Sequence, residues 1–426
     1  MTSSTERFPT SAEMSVAGLG CRFCGQPIRH VVVDLGLQPL CQSRVLREHL
    51  NEHERCYPLR AYVCDHCWLV QVQEHVGGEE IFSHYAYFSS YSDTLLAHSK
   101  VYVDQMIERF GLNQASFVVE LASNDGYLLQ YFVEQQIPCL GVEPAANVAD
   151  AAREKGVPSL VKFFGTVTAS EMQAAGQQAD LLVANNVLAH VPELNDFVAG
   201  MKIALKPQGV ITVEVSHLVK IIENNLFDTI YQEHYCYYLV STLQRIFQHH
   251  GLTIFDVDEL PTQGGSIRIY ARHSENSSLP VSENVHRIIA NEESNGYHRL
   301  QAYARFAEQV AAAKRDLLAC LIELKRQGKR IAAYGAPGKG NTLLNYCGIR
   351  EDFLDYTVDR NPMKQNTFLV GSRIPVHAPE AIAATKPDYV LLLPWNLERE
   401  LTEQLSYIRQ WGGSFILPLP HLRVIN

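Results

Sequence analysis

Short apolar runs recur through the middle of the chain, separated by stretches whose apolar positions repeat at helical spacing. FVVEL (117–121), CLGVEP (139–144), DLLVANN (180–186) and GVITVEV (209–215) are the clearest. A run apolar on both faces suits a strand covered on both sides, so residues 86–275 predict a parallel sheet with crossover helices. Residues 276–325 are rich in Ala and Glu, contain no strand run, and keep helical periodicity, which predicts a connector of one or two helices. Beyond it, RIAAYGAPGKGNTLLN (330–345), LDYTVDRNP (354–362), YVLLLPWN (389–396) and SFILPLP (414–420) alternate strand and helix again. Residues 326–426 therefore read as a second Rossmann-like α/β domain.

With 426 residues the chain exceeds one ordinary core, so several domains are expected. Hydrophobic residues make up 46% and charged residues 19%, and no apolar run reaches the roughly 18 residues a membrane span requires. The polar start MTSSTERFPTSAEMSVAG has neither the basic nor the apolar region of a secretory signal. The expectation is a soluble cytoplasmic protein without a membrane partner. A formal charge of -10 argues against a nucleic-acid partner, because that grip needs a basic surface.

Ten cysteines in a reducing compartment read as metal ligands where they cluster. Cys21 and Cys24 frame one knuckle, CRFC, and Cys64 and Cys67 frame another, CDHC. Two such pairs predict a tetrahedral Zn2+ site in an N-terminal module over residues 1–85. The long intervening loop leaves His30, Cys41, His53, Cys56 and His66 as spare candidates. A closed site of four sulfurs has no open position for chemistry, so this zinc is assigned to folding.

Phe117–Glu120 leads into the small-residue turn Leu121, Ala122, Ser123, Asn124, Asp125, Gly126 and then a helix. Strand, tight turn and helix cradle a nucleotide at the carboxyl edge of a parallel sheet. Glu143 ends the next strand, beside Pro144, where a carboxylate can take both ribose hydroxyls. A dinucleotide fingerprint would need three glycines, yet only Gly126 is present. S-adenosyl-L-methionine, which has no phosphate, suits this turn better than NAD; its product is S-adenosyl-L-homocysteine. Glu120, Ala122, Ser123, Asn124, Gly126, Glu143, Pro144, Asn185 and Asn186 form the expected cofactor site.

The segment FDTIYQEHYCYYLVST (227–242) crowds Tyr231, Glu233, His234, Tyr235, Tyr237 and Tyr238. Taking a proton from carbon beside a ketone needs a base that is free near working pH, and histidine supplies this unaided. His234 is the expected base, with Glu233 and a tyrosine orienting it or holding substrate, and a phenol donating to the enolate oxygen. His190 faces the same cleft, although a purely structural role stays open for it.

Taken together, the zinc knuckles, VVELASNDGYLL, GVEPAANVA, VANNVLAHVPELNDFV, FDTIYQEHYCYY, ELPTQGGSIRIYARH, AAYGAPGKGNTLLNY and DRNPMKQN run along nearly the whole chain. In these blocks the sequence resembles the deoxysugar C-methyltransferases of antibiotic-sugar pathways, including sugar C-3' methyltransferases. The resemblance implies a zinc-binding N-terminal region, a central methyltransferase domain and a C-terminal domain that helps hold a dTDP-4-keto-6-deoxysugar. It implies working roles for Tyr85, His190, Tyr231, Glu233 and His234, with His234 as the base. Apart from the resemblance, a monomer is expected. Gln232 and Cys236 stand where many members carry His and Ser. The turn containing Gly335, Lys339, Asn341 and Thr342, with Asp359 and Tyr237, becomes the expected substrate site, its backbone NH groups facing a diphosphate. Three other readings compete: a zinc-ribbon RNA or protein methyltransferase, an NAD-dependent sugar oxidoreductase, and a non-catalytic nucleotide-binding scaffold.

Overall fold

A computed structural model describes residues 19–82 and 88–426. The apolar runs of the middle segment form a seven-stranded sheet in the order Leu252–Leu260, Ser266–His273, Leu205–Ser216, Ala179–Asn185, Val118–Leu121, Cys139–Val142, Ser159–Leu160. The last five strands of that order are parallel, and every residue of Val118–Leu121 and Cys139–Val142 is buried, as central strands require. The first two strands form an antiparallel hairpin added to one side. From Val118–Leu121 the chain winds outward through two strands, then returns to the other side at Ala179–Asn185. That reversal opens a crevice at the carboxyl edge, where ligands bind in open α/β sheets.

An eight-stranded sheet carries the C-terminal part, ordered Arg423–Ile425, Ser414–Leu417, Tyr389–Leu392, Ile331–Tyr334, Thr357–Val358, Pro375–His377, Thr367–Leu369 and Arg44–Val45. Its last strand comes from the N-terminal module, paired through Val45 with Phe368 and Arg44 with Leu369. A third sheet joins His30–Gln38, Tyr57–Val63 and Val70–Val72 of that module to Cys236–Tyr237 of the tyrosine-rich segment. Apolar side chains follow the same sharing. Val33, Leu59 and Val72 pack in one cluster with Phe227, Phe306 and Leu343, while Cys64 and Leu69 pack with Leu182 and Tyr238. The N-terminal module is thus wedged against both larger sheets.

Two helices, Glu283–Ser294 and Leu300–Arg326, link the larger sheets. The first supplies a cap that local sequence does not. Helix Val240–His249 begins after Leu239, which has no side chain able to accept its free amides. The fully buried Glu292 accepts from the amides of Val240 (2.6 Å) and Ser241 (3.0 Å), and His217 Nε2 lies 3.1 Å from the same carboxylate. Glu292→Ala strands those donors in the core and is expected to cost about 2–4 kcal/mol, with Glu292→Gln costing less. Urea unfolding of the two variants checks this. Among the described residues no helix is long and apolar enough to cross a membrane.

Candidate active site

Two tight turns bring the cysteine pairs together. Cys21, Cys24, Cys64 and Cys67 place their sulfurs within 4.8 Å of one another, with Cys21–Cys67 at 3.5 Å and Cys24–Cys64 at 3.6 Å. Four sulfurs about 2.3 Å from a tetrahedral zinc stand about 3.8 Å apart, so the donor set and its spacing fit the ion. Gln71 Nε2 donates to Cys21 Sγ at 3.4 Å, an outer contact of the kind that steadies a thiolate ligand. His30 instead pairs with Asp65.

A cavity of about 600 Å³ opens at the carboxyl edge of the central sheet and extends to the C-terminal sheet. Ala122, Asn124, Glu143, Pro144, Asn185 and Asn186 line one end. Ala122 (φ 53°), Asn124 (φ 49°) and Asn186 (φ 55°) all lie in the left-handed region, which accounts for the usual preference for glycine at the position of Ala122. Glu143 is aimed by two backbone amides, those of Asn124 and Ala145, each at 2.9 Å from one carboxylate oxygen. Each oxygen retains a lone pair for a hydroxyl. Burial pushes this carboxyl above its ordinary range, against the pull of the two amides.

The remaining turn residues serve the cradle from behind. Glu120 is buried beneath it and held well above the usual carboxylate range, chiefly by desolvation and then by Glu143. Ser123 turns inward onto Gly141, where a Cβ would lie 2.2 Å from its Oγ. Gly126 has φ 74° and packs so closely that a Cβ would meet Val157 at 3.0 Å.

His190, Tyr231, His234 and Tyr237 line the middle of the cavity. His234 Nδ1 is 2.8 Å from the Thr229 carbonyl, which can only accept, so that nitrogen carries the proton. Nε2 is left with a lone pair, and the Tyr231 hydroxyl donates to it at 2.7 Å. Burial, the neighbouring His190 and the Lys339 charge hold the His234 pKa well below the ordinary histidine value. His190 packs edge-on at 4.6 Å between ring centroids, its pKa lowered to about 4 by burial. Glu233 points away from the cavity into protein, and desolvation raises its pKa to about 8. Tyr235 and Tyr238 spend their hydroxyls on the carbonyls of Val76 and Leu188. Tyr85 lies outside the described residues.

At the far end, Pro337, Gly338 and Lys339 open the helix Gly338–Cys347 into the cavity. Lys339 Nζ sits 5.0 Å from the Trp395 ring centroid, and Trp395 Nε1 donates to the buried Asp228 at 2.6 Å. Gly335, Asn341, Thr342 and Asp359 do not line the cavity. Asp359 braces the turn by accepting from the amides of Ala336 (2.7 Å) and Asn361 (2.8 Å), and Gly335 (φ 90°) lies against Pro394. Sequence reasoning missed Gln42, Ser89, Lys162, Phe163 and Gln263, all of which line the cavity. Gln263 carried a signal: it precedes two glycines and has φ 55°, a conformation uncommon outside glycine, Asn and Asp.

Three family models match the chain. Residues 21–82 match the one described as "Putative zinc binding domain", residues 96–257 "Methyltransferase domain", and residues 261–420 "C-methyltransferase C-terminal domain". The C-methyltransferase NovU of Streptomyces niveus is 34% identical over 409 residues, covering 95% of this chain and 96% of that protein. The magnesium protoporphyrin IX methyltransferase of Synechocystis PCC 6803 with bound S-adenosylmethionine aligns at a TM-score of 0.33 and 12% identity, over 43% of this chain and 82% of that one. An S-adenosylmethionine-dependent methyltransferase from Clostridium acetobutylicum ATCC 824 aligns at 0.33 and 13%, over 41% and 90%. With 34% identity sustained along nearly its whole length, and all three domain models matched in order, the chain belongs to the C-methyltransferase family, with a zinc-binding N-terminal domain.

Proposed function

We propose that this enzyme methylates the carbon alpha to the ketone of a dTDP-linked 4-keto-6-deoxysugar, at C-3, in the making of an antibiotic sugar. The observation that carries the reading is the neutral His234, with its Nε2 lone pair held by Tyr231 in a cavity shared by the cofactor edge and the Lys339 turn. Similarity to a C-methyltransferase along nearly the whole chain supports it.

S-adenosylmethionine supplies an electrophilic methyl group; the protein must supply a carbon nucleophile. His234 Nε2 takes the proton from C-3, and the C–H electron pair passes into the enolate. The Tyr231 hydroxyl, freed from Nε2, turns to donate to the C-4 oxygen, where negative charge develops. The enolate carbon formed in this way would be the nucleophile for that methyl group, with the S–C electron pair left on sulfur. Lys339 and the helix N-terminus beside it hold the diphosphate, with Tyr237 alongside the sugar. Glu143, aimed by the amides of Asn124 and Ala145, would hold the ribose hydroxyls of the cofactor. The enzyme works as a cytoplasmic monomer.

Hydrogen exchange tests the base directly. In D2O with S-adenosyl-L-homocysteine, wild-type enzyme should exchange the alpha proton of the 4-keto sugar faster than a His234→Asn variant; equal rates would sink the assignment. The pH profile adds a second check. Glu233, buried behind the cavity wall next to His234 in the chain, is neutral below about 8 and ionises above it, placing an uncompensated charge in the protein that holds the base. Activity should therefore fall above about pH 8 in the wild type, and that alkaline limb should disappear in Glu233→Gln. The acid limb, set by the depressed His234, should lie below the ordinary histidine range.

A further inference from the structure

The loop following strand His30–Gln38 leaves the zinc-binding module and enters the active site. It is fastened at both ends of its approach. The Gln38 carbonyl accepts from Gln232 Nε2 at 3.1 Å, two residues before His234, and the Cys41 carbonyl accepts from Asn341 Nδ2 at 2.6 Å in the helix that begins at Gly338. Immediately beyond, Arg44–Val45 becomes the edge strand of the C-terminal sheet. Close approach at Gly338 is required: a Cβ there would stand 2.8 Å from Gln42 Nε2 and 3.0 Å from Cys41 Sγ. Between these anchors Gln42 lines the cavity together with Tyr231, His234, Tyr237 and Lys339. Its half-buried carboxamide makes no hydrogen bond to any described residue, whereas the Gln38 and Cys41 carbonyls on either side of the approach are each paired.

We propose that Gln42 is a substrate-positioning residue, donated to the active site by the zinc-binding module, that hydrogen-bonds a hydroxyl or amino group on the sugar ring. The inference rests on the sugar reading given above. A carboxamide offers both a donor and an acceptor, so it suits a ring substituent that is either hydroxyl or amine. Its place between the Tyr231–His234 pair and the Lys339 turn is where a ring would lie if its reacting carbon faced the base and its diphosphate faced the helix. On this account the zinc site has a catalytic consequence, because it fixes the module from which the loop reaches the substrate.

The test uses the full-length zinc-bound enzyme, dTDP-4-keto-6-deoxyglucose and its 3-amino counterpart, with Gln42→Leu and Gln42→Glu variants. Gln42→Leu should raise KM and Kd for the sugar nucleotide about tenfold, the usual weight of one lost hydrogen bond to a ligand, with S-adenosylmethionine affinity and Tm unchanged. Gln42→Glu, which keeps the length and gains a charge, should shift the kcat/KM ratio toward the 3-amino sugar. If wild type methylates a sugar and both variants keep its KM and its amino-to-hydroxyl preference, the role of Gln42 is overturned while the sugar reading stands. Should wild type bind and methylate neither sugar, both fall together.

Discussion

A His234→Asn variant is expected to lose about 10²- to 10⁴-fold in kcat, the range a positioned general base contributes. Asparagine keeps a polar group near Thr229 and Tyr231 but has no lone pair basic enough to accept a carbon-bound proton. The loss should sit in the chemical step. The end of the cavity proposed for the cofactor is lined by other residues, Glu143 and Asn185 among them, so S-adenosylmethionine affinity should stay within about twofold of wild type. Single-turnover formation of S-adenosyl-L-homocysteine, with calorimetric titration of the cofactor, separates the two. A variant that keeps its rate, or that loses cofactor affinity instead, would remove His234 from the role of base. Tyr231→Phe should fall between the two enzymes, because it leaves Nε2 free but deletes the donor assigned to the enolate oxygen.

The second large effect concerns the metal. Removing zinc, by chelator under mild heat or by Cys64→Ser, is expected to lower Tm by on the order of 10 °C or more, since structural zinc sites carry about 10–16 kcal/mol of apparent binding energy at neutral pH. Cys64 is fully buried, and its backbone amide closes the knuckle on the Leu69 carbonyl. The damage should not stop at the module. Cys236 and Tyr237 pair with Gln71 and Val70, and the Val72 amide donates to the Tyr235 carbonyl at 2.9 Å, so the strand beside His234 leans on the zinc-held sheet. Methyl transfer should consequently fail at temperatures where the central sheet still holds its cofactor. Thermal scans alongside measured zinc content check this; metal-free enzyme with unchanged Tm and rate would contradict it.

What could be read from the chain, and what could not, divides by sequence distance. Runs such as Val118–Leu121 and Cys139–Val142 announce themselves because a strand buried on both faces has no polar alternation to hide it. The cysteine knuckles are equally local, and so is the crowding at 227–238. Residues within one turn were harder to sort. Ala122 and Asn124 face the cavity while Ser123 and Glu120 face protein, an outcome set by left-handed dihedrals that composition does not disclose. Least legible were pairings across hundreds of residues. Arg44–Val45 meets Phe368 and Leu369, Glu292 caps a helix about fifty residues earlier, and Gln42 reaches a cavity whose other walls lie far along the chain. No local pattern encodes such contacts; they follow from the way the N-terminal sheet packs into a separate apolar cluster with each of the two larger sheets.

The most direct test of the central claim is mass spectrometry of dTDP-4-keto-6-deoxysugars, with 3-amino and 2-deoxy members in the panel, incubated with enzyme and S-adenosylmethionine. The account predicts a gain of about 14 Da, one methylene, on the carbon next to the ketone, present with wild type and collapsing with His234→Asn. No gain on any sugar by an enzyme that binds its cofactor would contradict the sugar reading and turn attention to a polymer or another small-molecule acceptor.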